Sequence, residues 1–240
     1  MKYVFKKSPH SRLTAMKWAF VVVASMTSLI TSRSAMAERV VTFYLGSNAS
    51  PDTVINYDFN LGHGMQTETV SWDGETFDMP PFFGTRITWW QEDNPNWGLA
   101  IDNVHAKVAA NPMPSDFAVL EFTDGVNMVT GNVHYRHLNN SLFTPYVGVG
   151  VGFTTPHVEV LPDPTTYPGG SFTNRYQFGG ASAQILAGID YKISDRWSVF
   201  GEAKYAKFWI RADLDGGGSI STDIPSRQIA FGVNRTLDQR

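Results

Sequence analysis

Apolar residues recur at every second position through most of the chain beyond its first 37 residues. In the segment 183–193, one face carries Ala183, Ile185, Ala187, Ile189, Tyr191 and Ile193, and the other carries Gln184, Leu186, Gly188, Asp190 and Lys192. A period of two is typical of a β-strand whose two faces meet different surroundings. The same pattern predicts eight strands, at residues 39–48, 81–91, 97–108, 126–137, 142–153, 178–193, 197–210 and 223–235.

The connections between these strands alternate between short turns and long loops. The short turns are at 92–96, 138–141 and 194–196, and the long connections are near 49–80, 109–125 and 154–177, with a further loop that contains residues 213–218. An even number of antiparallel strands with short turns at one end and long loops at the other is typical of an outer-membrane barrel, whose long loops face outward. The sequence therefore predicts an all-β fold, an eight-stranded antiparallel transmembrane β-barrel in the cell outer membrane.

The placement of aromatic and charged residues favours this barrel over a soluble sandwich or lipocalin-like barrel. Aromatic residues fall near the short turns and near the long-loop ends, which predicts two membrane-interface girdles made of Trp89, Trp90, Trp97, Tyr191 and Trp197, and of Phe82, Phe83, Phe153, Phe208 and Trp209. The strand face opposite the apolar one predicts a small polar lumen lined by Asn132, His134, Arg136, Asp190, Lys192, Glu202 and Lys204. We interpret these charges as an ion-pair network rather than acid/base machinery. Since side chains fill an eight-stranded barrel, function is expected at its rim or loops.

Residues 1–37 have the pattern of a secretory signal peptide, which leaves 38–240 as one barrel domain. Basic residues precede an apolar stretch at 18–30, and Ala35-Met36-Ala37 forms a cleavage signature before Glu38. A membrane anchor is the alternative, but about 13 apolar positions are fewer than the roughly 20 that a spanning helix needs. Removal of 1–37 leaves 13 basic and 22 acidic residues, a net charge of −9. An acidic chain argues against nucleic acid as a partner and is compatible with a divalent cation.

Five residues outside the predicted strands or at their ends are candidates for chemistry. His105 ends one upward strand, His157 and Glu159 share a face just past another, and Glu121 and Asp124 lead into the strand between them. This topology predicts that these five rim residues meet at one edge of the barrel as a catalytic set. Within it, His105, His157 and Glu159 match the two-histidine, one-carboxylate triad of O₂-using iron enzymes, and the metal is iron or another divalent ion. The alternative is that the histidines are polar surface residues. Cysteine chemistry is excluded, because the chain has no Cys.

Several segments together resemble one family, the outer-membrane lipid A oxidases of rhizobia and related alphaproteobacteria, over nearly the whole chain after residue 37. These segments are Thr42-Phe43-Tyr44-Leu45-Gly46, Met79-Pro80-Pro81-Phe82-Phe83-Gly84, Asn96-Trp97-Gly98-Leu99, His105-Ala106-Lys107-Val108, Leu120-Glu121-Phe122-Thr123-Asp124-Gly125, Pro145-Tyr146-Val147-Gly148, Pro156-His157-Val158-Glu159-Val160 and Asp213-Leu214-Asp215-Gly216-Gly217-Gly218. The resemblance implies oxidation of the proximal glucosamine of lipid A to 2-aminogluconate, with O₂ as co-substrate. It implies lipid A or lipopolysaccharide, the outer membrane and the barrel-assembly machinery as partners of a monomer. The rim residues come from the predicted topology and not from the resemblance.

Two other functions stay open at this point. A non-enzymatic surface barrel, structural or adhesin-like, is compatible with the same strand pattern. A lipid A 3-O-deacylase is disfavoured, because that family has a His-x-Ser arrangement and here His134 and Tyr135 are followed by Arg136. Residues 213–218 resemble part of a calcium loop, but Ile224 stands where such a loop has its final Glu, so we predict a flexible turn.

Overall fold

The computed structural model describes residues 36–237. The predicted signal peptide 1–37 lies outside the described residues except for Met36 and Ala37, whose backbone opens the first strand. No helix within 36–237 has the length and apolar character needed to cross a bilayer.

The described part of the chain forms fifteen strands. They are β1 (Met36–Ala49), β2 (Thr53–Asp58), β3 (Gln66–Val70), β4 (Trp72–Asp73), β5 (Phe83–Gln91), β6 (Trp97–His105), β7 (Val108–Ala110), β8 (Phe117–Phe122), β9 (Met128–Arg136), β10 (Phe143–Thr154), β11 (His157–Pro162), β12 (Thr173–Tyr176), β13 (Gly180–Lys192), β14 (Trp197–Asp213) and β15 (Ser219–Thr236).

Eight of these strands close into the predicted barrel. Their order is β1-β5-β6-β9-β10-β13-β14-β15, every neighbouring pair is antiparallel, and β1 pairs with β15 from Val40↔Thr236 to Ala49↔Arg227. The fold prediction is confirmed, with strand ends that differ from the expected ones by a few residues. The exception is the β14–β15 hairpin, which extends to Asp213 and Ser219 because the inward positions Ile210 and Ala212 of β14 remain buried.

The two faces of the barrel wall have the predicted characters. Exposed apolar side chains form an outer belt that includes Val147, Val149, Val151, Ile185, Ile189, Ile229 and Phe231. Such a continuous apolar surface suits hydrocarbon rather than water. The girdles are only partly as expected: Trp97, Tyr191 and Trp197 are exposed, but Phe82, Trp90 and Phe208 are buried. Strand alternation turns Trp90 inward, where the guanidinium of Arg136 lies 4.0 Å from its ring centroid.

Buried charges in the lumen pair with one another, which confirms the predicted ion-pair network. Arg86 donates to both carboxylate oxygens of Glu202, at 2.9 and 2.7 Å, and to Asp102 at 3.1 Å. Lys204 donates to Asp102 at 2.8 Å and to the hydroxyl of Tyr44 at 2.7 Å. Paired in this way, the charges avoid the large cost of isolated burial. Two predicted members lie at the short-turn end of this lining, outside the central network: Arg136 pairs with Glu38, and the exposed Lys192 pairs with Asp195.

The long connections are not irregular loops. Strands β4, β7, β8, β11 and β12 form a second sheet in the order β12-β11-β8-β7-β4, which we call the cap sheet, and β2 and β3 add to the extended end of β15. One face of the cap sheet belongs to a continuous apolar core with β2 and the β14–β15 hairpin; its members include Ile55, Leu120, Phe122, Val158, Val160, Phe208 and Ile220. This core covers the long-loop end of the lumen. The long connections at 109–125 and 154–177, which were expected as loops, contain strands of their own, because their apolar residues have a core to enter.

Residues 213–218 form a turn, as predicted, and hydrogen bonds connect it to its surroundings. Leu214 is buried, and its backbone exchanges hydrogen bonds with Gly217 and Gly218. The backbone NH of Asp215 donates to the hydroxyl of Thr173 on β12. Arg175 donates to the carboxylate of Asp215 and to the backbone oxygen of Asp213. The turn is therefore fastened to the edge of the cap sheet.

Candidate metal centre at the outer rim

The cap sheet continues the barrel wall beyond the rim. Above the last paired residues of β9 and β10, Thr155 NH donates to Asn127 O and His157 NH donates to Gly125 O, both at 3.0 Å. These bonds keep the register of the β9–β10 pair, in which Thr154 lies opposite Met128. Because side chains alternate between faces, the outward residues of β10 are followed on the same side of the wall by His157 and Glu159. The chemistry-bearing residues thus lie on the outer face, whereas Val158 and Val160 enter the core.

Three of the predicted rim residues come together on this face. Nδ1 of His157 lies 3.0 Å from Oε1 of Glu159 and 3.4 Å from Oδ2 of Asp124. One ligand atom from each of the three residues lies within 4.8 Å of the other two. His157 is buried and its ring packs against Tyr176, with centroids 4.5 Å apart, while the side chain of Asp124 is half exposed. We call Asp124, His157 and Glu159 the donor group.

The donor group offers three ligand atoms of the kinds that could hold a divalent metal. Ligand bonds of about 2.0–2.2 Å place neighbouring ligand atoms of one ion roughly 3 Å apart, which the two measured distances from His157 approach. An imidazole with two carboxylates suits first-row ions such as iron, manganese or zinc. The composition differs from the predicted triad, since it has one histidine and two carboxylates. A metal held here would be reached from outside the wall and not through the lumen.

His105 does not join the donor group found among residues 36–237. It ends β6, where its ring stacks on Phe83 with centroids 5.0 Å apart and its Nδ1 lies 3.0 Å from Oδ1 of Asn127. Asn127 donates in turn to the backbone oxygens of Asp124 and Gly125, both at 3.1 Å. Gly125 has a φ of +94°, and a Cβ atom there would lie 2.3 Å from the His105 ring. His105 therefore supports the turn that carries Asp124.

Glu121 lies beside the donor group, opposite Glu159 across the β8–β11 pair. Burial raises the pKa of Glu121, and the nearby charge of Glu159 raises it further. The hydroxyl of Thr123 donates to Glu159 at 3.2 Å and so holds one carboxylate of the site. All five rim residues thus lie along one stretch of the outer face, three as possible ligands and two as neighbours.

Two residues near the site were missing from the predicted set. Lys107 is buried, and its Nζ lies 3.3 Å from Oε2 of Glu75. The negative charge of Glu75 raises the pKa of Glu121, and the positive charge of Lys107 lowers it. Lys107 could have been found from the sequence, because it lies two residues after His105 and strand alternation puts both side chains on one face. Nothing in the sequence placed Glu75 there, because it belongs to a segment that reaches the sheet only through the tertiary fold.

A cavity of about 420 Å³ opens at the other end of the barrel. Its lining includes Arg86, Trp90, His134, Arg136 and Tyr146, and none of the rim residues. It is the short-turn end of the polar lumen. The candidate site and this cavity are therefore separate features.

Comparisons with known proteins identify solved structures that share the fold. No protein-family model and no curated protein sequence matches the chain. Among solved structures it resembles the outer-membrane protein OprG from Pseudomonas aeruginosa, at 13% identity over 85% of this chain and 98% of that one, with a TM-score of 0.55. It also resembles the outer-membrane protein AlkL in DMPC bilayers, at 12% identity over 87% of this chain and 94% of that one, with a TM-score of 0.53. At these identities the likeness concerns the fold. With the apolar belt on its wall, the chain is an eight-stranded antiparallel β-barrel of the outer-membrane type, located in the outer membrane.

Proposed function

We propose that the chain is a lipid A oxidase, which oxidises the proximal glucosamine of lipid A to 2-aminogluconate with O₂. The observation that carries the proposal is the donor group on the outer face just above the apolar belt. Lipid A lies in the outer leaflet, so its sugars reach the level of the rim and not the centre of the lumen. The resemblance to lipid A oxidases supplies the reaction, and the location of the donor group is compatible with it.

The proposed reaction balances as a two-electron oxidation. In lipid A whose proximal sugar has a free C1 hydroxyl, the C1 carbon loses one hydrogen and that hydroxyl loses another, while O₂ takes up both electrons and both protons to become hydrogen peroxide. Hydrolysis of the resulting lactone opens the ring to the acid, which contains one more oxygen atom than the starting sugar. Side chains alone rarely transfer electrons to O₂, so a bound metal would supply that chemistry. Asp124, His157 and Glu159 would hold the metal.

The other rim residues have supporting parts in this proposal. Glu121 stands next to Glu159 on the same face, where its carboxylate can accept the proton of the C1 hydroxyl. His105 positions the turn of Asp124 through Asn127. Neither part requires the lumen charges, which are already paired with one another.

Mass spectrometry of lipid A tests the proposal directly. A strain that expresses the chain should contain lipid A with one additional oxygen, and a strain that expresses Asp124→Asn should not. His63→Ala is the matched control, since His63 lies in the exposed β2–β3 connection and outside the donor group. Loss of an acyl chain would instead identify a deacylase. Unchanged lipid A with a folded barrel would favour a structural surface protein.

A further inference from the structure

The outer face of the cap sheet is bordered by apolar side chains on both sides of the candidate site. On one side, Phe77 and Met79 are 92% and 82% exposed. On the other, Tyr176 and Phe178 are 59% and 61% exposed. These are large side chains, and leaving them in water is unfavourable. Their exposure therefore needs an explanation.

The first border, which carries Phe77 and Met79, is held in place by contacts with the rest of the protein. Phe82 anchors the end of the segment 74–82 in the core. Within the segment, Asp78 NH donates to Glu75 O at 3.1 Å, and Glu75 NH connects the segment to β4 by donating to the carboxylate of Asp73 at 3.0 Å. The buried Lys107 binds the segment from below through Glu75. We call residues 74–82 the apolar flap, which projects Phe77 and Met79 away from the sheet.

The second border joins the membrane belt directly. Phe178 packs against Phe153, with ring centroids 5.9 Å apart, and Phe153 is on the lipid side of β10 next to the exposed Val151. Tyr176 continues the same line upward, where its ring packs on His157 and its hydroxyl donates to the backbone oxygen of Asp124 at 3.2 Å. An aromatic path therefore runs from the bilayer surface to the donor group.

The strand order places the site between the two borders. The flap contacts Lys107, which directly precedes β7. Tyr176 belongs to β12, and β8 and β11 lie between β7 and β12 in the sheet. Those two middle strands carry Glu121, His157 and Glu159. The resulting surface has a polar centre with apolar sides and is continuous with the lipid-facing wall. A lipid has the complementary arrangement, with a polar headgroup above apolar chains.

We propose that this face docks one lipid of the outer leaflet, with its headgroup on the polar centre and its acyl chains between the apolar flap and the Tyr176–Phe178 border. This deepens the proposed function, on which the identity of the lipid as lipid A rests. The substrate then enters sideways from the leaflet. Phe77, Met79, Tyr176 and Phe178 are positioning residues, which place the sugar at the donor group without touching the reacting atoms.

Site-directed spin labelling tests the docking face without reference to activity. The chain has no Cys, so each introduced cysteine carries the only label. Labels at Phe77→Cys and Phe178→Cys are compared with Met65→Cys, which replaces an exposed methionine in the β2–β3 connection and belongs to neither border. The folded barrel is reconstituted in vesicles, and collision rates are measured with O₂, which concentrates in lipid, and with a nickel chelate, which stays in water. The expected result is a higher oxygen-to-nickel ratio at 77 and 178 than at 65.

Equal ratios at all three positions would place both borders in water and overturn the proposal, and a face that binds a soluble protein would give this result. If either aromatic variant fails to fold, Met79→Cys and Tyr176→Cys report on the same borders. The outcomes also separate this proposal from the proposed function. If both labels lie at lipid level but lipid A is not oxidised, the docking face is supported and the oxidase proposal is overturned. If lipid A is oxidised but both labels lie in water, the oxidase proposal is supported and the docking face is overturned.

A kinetic arm tests the positioning role. The double variant Phe77→Ser with Met79→Ser should lower kcat/KM for lipid A in vesicles roughly tenfold, since one or two apolar contacts discriminate by that order. Metal content should stay unchanged, because neither residue is a ligand. Met65→Ser is the matched control and should retain full kcat/KM. An unchanged kcat/KM in the double variant would overturn the role of the flap.

Discussion

Nδ1 of His157 lies 3.0 Å from Oε1 of Glu159, two residues further along the same strand. The pair is fixed by strand alternation and by strand pairing, since Glu159 lies opposite Glu121 of β8 and His157 lies opposite Tyr176 of β12. Asp124 completes the group from a turn that is held by Asn127 and Gly125. Substitutions at these three positions can therefore be compared within one rigid frame.

We expect His157→Ala to abolish the 2-aminogluconate product. The imidazole is the only nitrogen ligand in the donor group, and carboxylates alone hold iron or zinc less tightly. The variant should still fold as a barrel, because the ring lies outside the lumen network. Its unheated and boiled samples should therefore still migrate differently on gels. His137→Ala, in an exposed position at the short-turn end, is the control. Full activity in His157→Ala would remove the metal site from the proposal.

His105→Ala should weaken the activity without abolishing it. The ring supports the Asp124 turn through Asn127 and does not supply a ligand in the donor group. Losses of roughly 10- to 100-fold are typical when a residue that orients a metal ligand is removed. Product formation and metal content should fall together, and an excess of added metal should restore part of both. A complete loss that added metal does not relieve would assign His105 a direct role.

Chelation should remove both the metal and the activity. The folded protein is treated with a strong chelator and dialysed. Elemental analysis should then show the loss of about one equivalent of a divalent ion, because the donor group would hold one ion. Adding the ion back should restore product formation. Asp124→Asn should contain less metal before any treatment. A metal-free preparation with full activity would contradict the site.

Arg86→Ala should destabilise the barrel itself. Removal of the guanidinium leaves Lys204 as the remaining cationic partner of the buried carboxylates of Glu202 and Asp102, and breaking a buried pair typically costs about 3–5 kcal/mol. Urea unfolding in detergent should show the loss, and the shift between unheated and boiled samples on gels should disappear at a lower temperature. Arg196→Ala, in an exposed short turn, should leave both measurements unchanged.

Protease treatment of intact cells should cut the chain only within the exposed parts of the long connections. Residues 60–65 and 168–172 are exposed or partly exposed and lie between strands, whereas β8 and β11 are paired in the cap sheet. The short turn at Asp93-Asn94-Pro95 should stay intact, since an even strand count places it on the periplasmic side. Cleavage at that turn alone would invert the topology.

The sequence by itself determined the barrel and the side of the wall on which most strand residues lie, although girdle residues such as Trp90 were expected outside and are buried. Period-two alternation is a local property, because each side chain points opposite to its neighbour wherever the strand is extended. The same rule put His157 with Glu159, and it correctly identified the lumen charges of Glu202 and Lys204. The same alternation could have predicted strand β11, because Val158, Glu159 and Val160 alternate between apolar and polar as strand residues do.

Only the tertiary structure decided what the long connections do. Whether an alternating segment becomes a strand depends on a partner edge and a core to enter, and both come from chain segments far away in the sequence. The cap sheet joins β4 to β7 and β11 to β8 in this way. The exchange of His105 for Asp124 in the donor group has the same origin, because the turn at Gly125 brings the carboxylate of Asp124 to His157 while His105 turns to Asn127. Distances of a few ångströms between side chains on different strands follow from register and turn geometry, which the pattern of apolar and polar positions does not encode.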